Sequence, residues 1–319
     1  MSEYILGIDV GGTKIALGIL LGESLVARRE FPFDPSADAD TIFEKLTDTI
    51  ALTLGDASLS AADISAVGLG VPGTIRPDRR SLQFAANAPL LNGFPLCDKL
   101  SALFPGVPVV MENDANAAAL AEHILGAGKG LGDMLYCTIS TGVGGGLILN
   151  DTLFRGPNMA AGEIGHMVVY PGGAPCGCGG HGHAEAYAGG ANYPRAIRAR
   201  IEAGEPTVMA ALAEQSGRLD GRVLAAALAQ GDAMAQDILA QIASAVALLF
   251  YNTYKLLGLQ TFVLGGGLTN LGDTLFDAIR AALTGLYTPM DAGVTLTLLP
   301  ARFSSAEIGV YGAALSALY

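Results

Sequence analysis

Residues 4–21 have the sequence YILGIDVGGTKIALGILL, in which a Gly-Gly-Thr turn separates two apolar segments. Segments 4–10 and 14–21 are rich in aliphatic side chains, and this pattern around a glycine turn predicts two antiparallel strands. A third strand is expected at 24–31. A chain that opens on a β-hairpin is not typical of a plain doubly wound sheet, which alternates strands with helices from its start.

Further along, strands and helices alternate. A helix is predicted at 38–55, capped by the Asp and Ser residues before it. Buried strands are predicted at Ile64–Leu69, which runs into Gly70-Val71-Pro72-Gly73, and at Val107–Met111, which runs into Glu112-Asn113-Asp114. The helix that follows from Ala115 has Asn113 or Asp114 at its N-terminus.

The same pattern then restarts in the second half. Its predicted elements are a strand at Met134–Ile139, a glycine turn at 140–146, strands at Leu147–Leu149 and Thr261–Leu264, and helices at 234–257, from about 271 and at the C-terminus. Two halves that each open with strand, glycine turn and strand predict duplicated α/β domains around a cleft. We expect an N-terminal domain at 1–116, a larger domain at 117–302, and a final helix at about 303–319 that packs back on the first domain.

Composition excludes several classes of protein. Glycine accounts for 43 of 319 residues, about 13% against a usual ~7%, and it clusters beside apolar runs rather than in low-complexity tracts. With 51% hydrophobic residues the chain is not disordered. A net charge of −12 without a Lys/Arg block gives no footprint for nucleic acid, and the apolar stretch 238–250 is too short to span a bilayer. Four cysteines without a disulfide pattern favour the cytoplasm.

Three glycine clusters follow predicted strands, at Gly11-Gly12, at 142–146 and at 265–267. Glycine lets backbone N–H groups approach a phosphate, and Thr13 and Thr141 add hydroxyl groups beside two of the clusters. Any one cluster alone is more simply a hairpin turn, but three favour polyphosphate binding. No Walker A loop is present, and the GxGxxG at 68–73 contains Pro72, so it does not open a dinucleotide-binding helix.

A dense group of cysteines and histidines lies between residues 166 and 183. It contains His166, Cys176, Cys178 and His183, with His181 as a spare. Thiolates and imidazoles in a glycine-rich loop suit tetrahedral zinc, and four protein ligands predict a structural ion. The alternative is a surface loop without metal.

Three carboxylates are candidates for catalysis or substrate binding. Asp114 follows a strand and begins a helix, which is also where a simple N-cap belongs, but Asn113 beside it is able to fill that role. Glu163 and Glu185 bracket the cysteine and histidine loop and suit a ligand rich in hydroxyl groups. Their alternative is that they are solvated loop charges.

Together the motifs resemble the ROK family, which contains bacterial glucokinases, fructokinases and N-acetylhexosamine kinases as well as sugar-responsive repressors. The resemblance rests on DVGGTK (9–14), ENDANAA (112–118), STGVGGG (140–146), GEIGH (162–166) and the run from Cys176 to Glu185. It extends from about residue 4 to the final Gly-Ala-Ala helix.

The resemblance implies an α/β fold of two actin-like, ribonuclease H-like domains of the hexokinase type that close on sugar and MgATP. Asp114 is then the general base on the sugar 6-hydroxyl. Sugar hydroxyls are assigned to Gly73, Asn87, Asn113, Glu163, His166 and Glu185. Phosphate contacts are assigned to Gly11, Gly12, Thr13, Lys14, Thr141 and Gly142, and adenosine contacts to Gly265 and Gly266. His166, Cys176, Cys178 and His183 are the expected ligands of structural Zn²⁺.

Position 183 departs from the family's metal loop, which usually has cysteine there. Histidine is itself a zinc ligand, so a two-His, two-Cys site is expected, with His181 as a competing ligand. Glucose or a related aldohexose is the preferred substrate, followed by N-acetylmannosamine or N-acetylglucosamine, then fructose. The family suggests a homodimer. A repressor is disfavoured because the first strand begins at residue 4 and the charge is −12.

Overall fold

A computed structural model describes residues 3–85 and 88–319 of the chain. It has mixed α/β structure, as predicted, and it divides into two compact units. Unit 1 comprises residues 1–132, 146–162 and 302–319, and unit 2 comprises 133–145 and 163–301. The domain boundary after residue 116 stays a prediction.

The strands of the described residues fall into two five-stranded sheets and one small two-stranded sheet. In chain order they are β1 (Tyr4–Val10), β2 (Lys14–Leu21), β3 (Ser24–Pro32), β4 (Ile64–Val71), β5 (Thr74–Ile75), β6 (Leu82–Phe84), β7 (Val109–Asn113), β8 (Met134–Ile139), β9 (Val143–Leu149), β10 (Thr152–Phe154), β11 (Thr261–Gly265) and β12 (Thr297–Pro300).

Of the α-helices in the described residues, five lie in one run between β10 and β11, and the others are distributed along the rest of the chain. In chain order the helices are α1 (Ala39–Asp56), α2 (Leu96–Leu103), α3 (Asp114–Ile124), α4 (Ala184–Ala188), α5 (Tyr193–Glu202), α6 (Met209–Ser216), α7 (Gly221–Ala229), α8 (Ala233–Leu257), α9 (Asp273–Thr284) and α10 (Ile308–Ser316).

The first sheet has the strand order β3-β2-β1-β4-β7 and lies in unit 1. β1 and β2 pair antiparallel, as the opening sequence predicts, whereas β4 is parallel to both β1 and β7. One face buries aliphatic side chains together with residues of α1 and α2, for example Ile8, Leu46 and Leu100. Parallel pairing brings the carboxyl ends of β1, β4 and β7 to the same edge of the sheet, where the glycine turn and the start of α3 follow.

The other face of this sheet is lined by glycine. Gly18, Gly7 and Gly68 are register partners on three adjacent strands. A Cβ atom added to Gly7 would lie 2.3 Å from the carbonyl oxygen of Val310, and one added to Gly68 would lie 1.8 Å from that of Ala313. The row of missing side chains therefore lets α10 pack with its backbone directly against the strands.

The second sheet has the strand order β10-β9-β8-β11-β12. β11 is parallel to both β8 and β12, and β9 pairs antiparallel with β10. The prediction of a glycine turn through residue 146 was wrong at its end, because β9 already begins at Val143. β9 leaves unit 2 after Gly145 and continues in unit 1.

Helix α8 is a core helix with a capped start. The Asp232 side chain accepts a hydrogen bond from the Ala235 N–H at its N-terminus, and Gly258 ends it in a left-handed conformation. Among the described residues, α8 is the helix that is long and apolar enough to cross a membrane. However, 61% of its apolar 18-residue window is buried inside the protein. Core helices of soluble proteins commonly pass the same test.

Candidate functional site

The first group of site residues lies at the start of α3. Asn113, the last residue of β7, is the N-cap: its side-chain oxygen accepts hydrogen bonds from the N–H groups of Ala115 and Asn116, at 3.0 and 3.1 Å. Asp114 is exposed, and its Oδ1 also accepts from the Ala115 N–H at 2.8 Å. Because Asn113 already caps the helix, Asp114 is not needed for that purpose.

Gly73 is joined to this group through Asn113. The Asn113 side-chain amide donates to the Gly73 carbonyl oxygen at 3.1 Å. Gly73 has a φ of +98°, and a Cβ atom there would lie 2.2 Å from the Phe84 carbonyl oxygen, so only glycine fits. Asn87, the other predicted sugar ligand of this region, lies outside the described residues.

The turn between β1 and β2 is exposed at Gly12 and Thr13. The Gly11 N–H donates to the Lys14 carbonyl oxygen at 2.9 Å and closes the turn. The Lys14 ammonium lies 2.8 Å from Glu30, a carboxylate that also pairs with Arg28. Of the residues predicted to contact phosphate, Lys14 is therefore already engaged in a surface ion pair.

Asp9, at the end of β1, is a titratable group that the predicted site omitted. Burial raises the pKa of its carboxyl from 3.8 to about 6, against the opposing effect of Lys14 and Arg28. A Cβ atom on Gly309 would lie 2.1 Å from Asp9 Oδ2, so α10 passes close to this carboxyl. The signal was present in the quoted sequence, since Asp9 is the last residue but one of a strand that runs into a glycine turn.

The second group of site residues lies in unit 2 and contains the four predicted metal ligands. One ligand atom from each of His166, Cys176, Cys178 and His183 lies within 4.8 Å of the others. The Cys176 sulfur is 3.9 Å from His166 Nδ1, and the Cys178 sulfur is 3.2 Å from His183 Nδ1. His181 is not in this group among the described residues; its backbone instead forms a bridge with Pro175.

Donor atoms at these separations fit a tetrahedral zinc ion. Ligands about 2.0–2.3 Å from one ion stand roughly 3.6 Å apart at tetrahedral angles. The loop is also held by contacts of its own: Val168 and His183 form a bridge, and the Cys176 N–H donates to the Gly180 carbonyl oxygen at 2.8 Å. The group is therefore shaped by its backbone as well as by its side chains.

Glu185 connects the metal-ligand group to the turn before β9. Its Oε2 accepts from the Val143 N–H at 3.0 Å, and its Oε1 is 3.5 Å from the Cys176 sulfur. A Cβ atom on Gly142 would lie 2.4 Å from Oε2. Sequence reasoning assigned Glu185 to sugar hydroxyls and did not detect this link, because a contact across 42 residues leaves no local pattern.

The glycines of the 142–146 cluster do not all serve the same purpose. Gly145 and Gly146 lie within β9, where added Cβ atoms would come within 2.4 Å of Ile164 and 2.5 Å of Ala119. These two glycines permit close packing, and the exposed turn is limited to Ser140 and Thr141 with the half-buried Gly142.

Gly265 and Gly266, predicted to contact adenosine, end β11. Gly266 has a φ of +90°, and a Cβ atom there would lie 2.4 Å from the Ile139 carbonyl oxygen. A Cβ atom on Gly265 would lie 2.7 Å from the Tyr136 hydroxyl. Gly266 is therefore required by the backbone of unit 2, and Gly265 makes room for the Tyr136 side chain. Glu163, the last predicted sugar ligand, is exposed directly before the short helical turn Ile164–His166.

Comparison with known proteins identifies the family. The chain matches the ROK family over residues 5–318. A glucokinase of Halalkalibacterium halodurans is 35% identical over 281 residues, which cover 87% of this chain and 84% of the relative. An N-acetylmannosamine kinase of Vibrio vulnificus is 35% identical over 264 residues, 82% of each chain.

A solved structure supports the same conclusion. The ROK family glucokinase from Streptomyces griseus in complex with glucose and AMPPNP is 32% identical, with 99% of both chains covered and a TM-score of 0.79. This likeness confirms the predicted α/β fold class, the actin-like type of the hexokinases. Since the family match extends over nearly all of its residues, the chain belongs to the ROK family.

Proposed function

We propose that this protein is an ATP-dependent sugar kinase that phosphorylates the 6-hydroxyl of glucose or a related aldohexose. The similarity to glucokinases over more than four fifths of the chain supports the reaction class. The single observation that carries the mechanism is the exposed Asp114 carboxylate at the start of α3, beside an Asn113 that already caps the helix.

Asp114 acts as the general base. It accepts the proton of the sugar hydroxyl while the hydroxyl oxygen forms a bond to the γ-phosphorus of ATP. The bond from that phosphorus to the bridging oxygen breaks, ADP leaves, and the proton passes from Asp114 to solvent. The exposed residues Gly12 and Thr13 of the turn offer backbone N–H groups to phosphate oxygens, which a chain of net charge −12 needs because its overall charge repels ATP.

Magnesium is the expected companion of ATP. When bound with the nucleotide, Mg²⁺ neutralises the charge of the β- and γ-phosphates. It usually takes one or two protein carboxylates and several waters. Asp9, the last residue but one of β1, is a carboxylate of unit 1 that suits this role.

The two-His, two-Cys group is proposed to hold a structural zinc ion. Four protein ligands leave no open coordination position, so zinc here has no catalytic step. It would fix the loop that contains His166 and, through Cys176 and Glu185, the turn at Val143. One ring nitrogen of His166 on zinc would leave the other for a sugar hydroxyl.

A coupled ADP-release assay with a panel of sugars tests the proposal. We expect turnover with glucose, and a kcat about 10²–10⁴-fold lower for Asp114→Asn, with sugar binding still measurable by calorimetry. Asp40→Asn is the matched control, since Asp40 is likewise an acidic residue in the first turn of a helix of unit 1. Glucose turnover by Asp114→Asn close to wild type would refute the role of Asp114.

N-acetylmannosamine is the second candidate substrate, and N-acetylglucosamine and fructose follow it. The N-acetylmannosamine kinase of Vibrio vulnificus is 35% identical, the same identity as the glucokinase of Halalkalibacterium halodurans. The ratio kcat/KM across the sugar panel decides between these substrates.

Location and assembly complete the proposal. Four free cysteines, Cys97, Cys137, Cys176 and Cys178, favour a reducing compartment, and we propose the cytoplasm. A homodimer that binds neither nucleic acid nor membrane is the expected form. Cell fractionation tests the first point, and light scattering after size exclusion tests the second.

A further inference from the structure

Glu112 is a buried carboxylate next to the proposed catalytic start of α3. Its side chain has no exposure to solvent, and it receives two guanidinium groups: Arg155 donates from Nε at 2.7 Å, and Arg79 lies 3.4 Å away, both at Oε2. The side chain of Arg155 is itself only 16% exposed, and that of Arg79 only 18%. A buried charge of this kind requires partners, and Glu112 has them.

The second oxygen of Glu112 faces the beginning of α3. Oε1 accepts from the Asn113 N–H at 3.1 Å and from the Asn116 side-chain amide at 3.2 Å. One carboxylate therefore joins two arginines on one side to the N-cap residue and the first turn of α3 on the other. Asp114 lies between the two residues that Oε1 holds.

The cluster is not arranged for greatest stability. The cluster has two guanidinium groups and one carboxylate, and these three groups together carry a net positive charge. Burial lowers the pKa of Arg79, the charge of Arg155 lowers it further, and the charge of Glu112 opposes the shift. Four buried side-chain polar atoms of the described residues have no hydrogen-bond partner, and two of them, Arg155 Nη2 and Asn116 Oδ1, belong to this cluster. Apolar side chains in such a place are often as stable or more stable, so retained charges point to a geometric purpose.

Arg155 comes from a different part of the chain, the segment that follows β10. Its carbonyl oxygen accepts from the Ala161 N–H at 3.1 Å and shapes the loop that leads towards Glu163. The pair Arg155–Glu112 thus fixes the end of β7 to a segment that is remote in sequence, by 43 residues.

We propose that Glu112 and Arg155 are a positioning pair that holds the start of α3, and with it the Asp114 carboxylate, in the geometry that phosphoryl transfer requires. The inference rests on the proposed function. Neither residue needs to touch substrate, because a misplacement of about 1 Å is enough to lower a rate by ~10²-fold.

Steady-state kinetics of the full chain with ATP and its best sugar tests the pair. For Glu112→Gln and Arg155→Lys we expect kcat to fall about 10²-fold while KM for sugar and for ATP changes little. The double variant is expected to lose no more than the worse single variant, since the two residues act as a unit. Arg155→Lys keeps the charge of the cluster, so it decides the question if Glu112→Gln does not fold.

Glu122→Gln is the matched control. Glu122 is equally buried at the opposite end of α3, where it accepts hydrogen bonds from the N–H groups of Ala127, Arg302 and Phe303. Its loss should lower the melting temperature but leave kcat near wild type. A kcat loss in Glu122→Gln as large as that in Glu112→Gln would overturn the positioning role, as would wild-type kcat in a folded Arg155→Lys.

The failure of the proposed function would have a different signature. A wild-type protein that releases no ADP with any sugar overturns the kinase assignment and this inference together. An active wild type whose Glu112 and Arg155 variants keep full kcat overturns this inference alone.

Discussion

Substitution of Gly68 by alanine should destabilise unit 1 more than a single methyl group normally does. The added Cβ would lie 1.8 Å from the Ala313 carbonyl oxygen, whereas real Cβ atoms essentially never come closer than 3.0 Å, so α10 or β4 must move by at least 1.2 Å. The neighbour is backbone and has no rotamer to change. Overpacking usually costs about 1–3 kcal/mol, and we expect the upper end, about 3 kcal/mol.

Thermal unfolding measures this cost. At 2–4 °C per kcal/mol, the melting temperature should fall by about 6–12 °C. Gly55→Ala is the matched control, because it adds the same methyl group in α1 with nothing within 4 Å. Alanine is the better helix former, so this variant should melt at or slightly above wild type. A Gly68→Ala protein that melts within about 1 °C of Gly55→Ala would refute the backbone-packing account.

Two further predictions concern the metal group and Asp9. His183→Ala should lose the stoichiometric zinc expected in wild type and unfold at lower temperature, whereas His183→Cys should keep zinc; elemental analysis that finds zinc unchanged in His183→Ala would contradict the ligand set. The pKa of Asp9 is about 6 in the folded protein and 3.8 ordinarily, so between pH 3.8 and about 6 the folded protein binds more protons than the unfolded chain. The free energy of unfolding of wild type therefore decreases as the pH rises through this range. Urea unfolding without magnesium should find Asp9→Asn level with wild type near pH 4 and more stable by up to about 3 kcal/mol at pH 8; a difference independent of pH would be contrary to this cause.

The opening hairpin and the buried strands could be predicted from the sequence because their signals are local. Apolar runs beside glycine turns gave β1, β2, β8 and β11 nearly to the residue. The start of β9 was predicted wrongly for the same reason: glycine is ordinarily a turn signal, whereas Gly145 and Gly146 lie within the strand and make room for Ile164 and Ala119.

Within the site, the grouping of His166, Cys176, Cys178 and His183 was predictable from residue type and spacing. The roles that depend on distant segments were not. Nothing local indicates that Glu112 meets Arg79 and Arg155, or that Glu185 accepts a hydrogen bond from Val143. Asp9 had a local signal, but its raised pKa follows from burial that only the fold supplies.

The glycine row on β1, β2 and β4 has a consequence for how the protein is made. Its cover, α10 (Ile308–Ser316), follows β1 and β2 by nearly three hundred residues and β4 (Ile64–Val71) by about 240. Chains are synthesised from the N-terminus, so one face of the first sheet stays uncovered until α10 has been produced. Contacts between such distant segments also slow folding. During that interval the uncovered face of the nascent unit 1 favours binding by chaperones. This is also the stage of synthesis at which aggregation is most favoured.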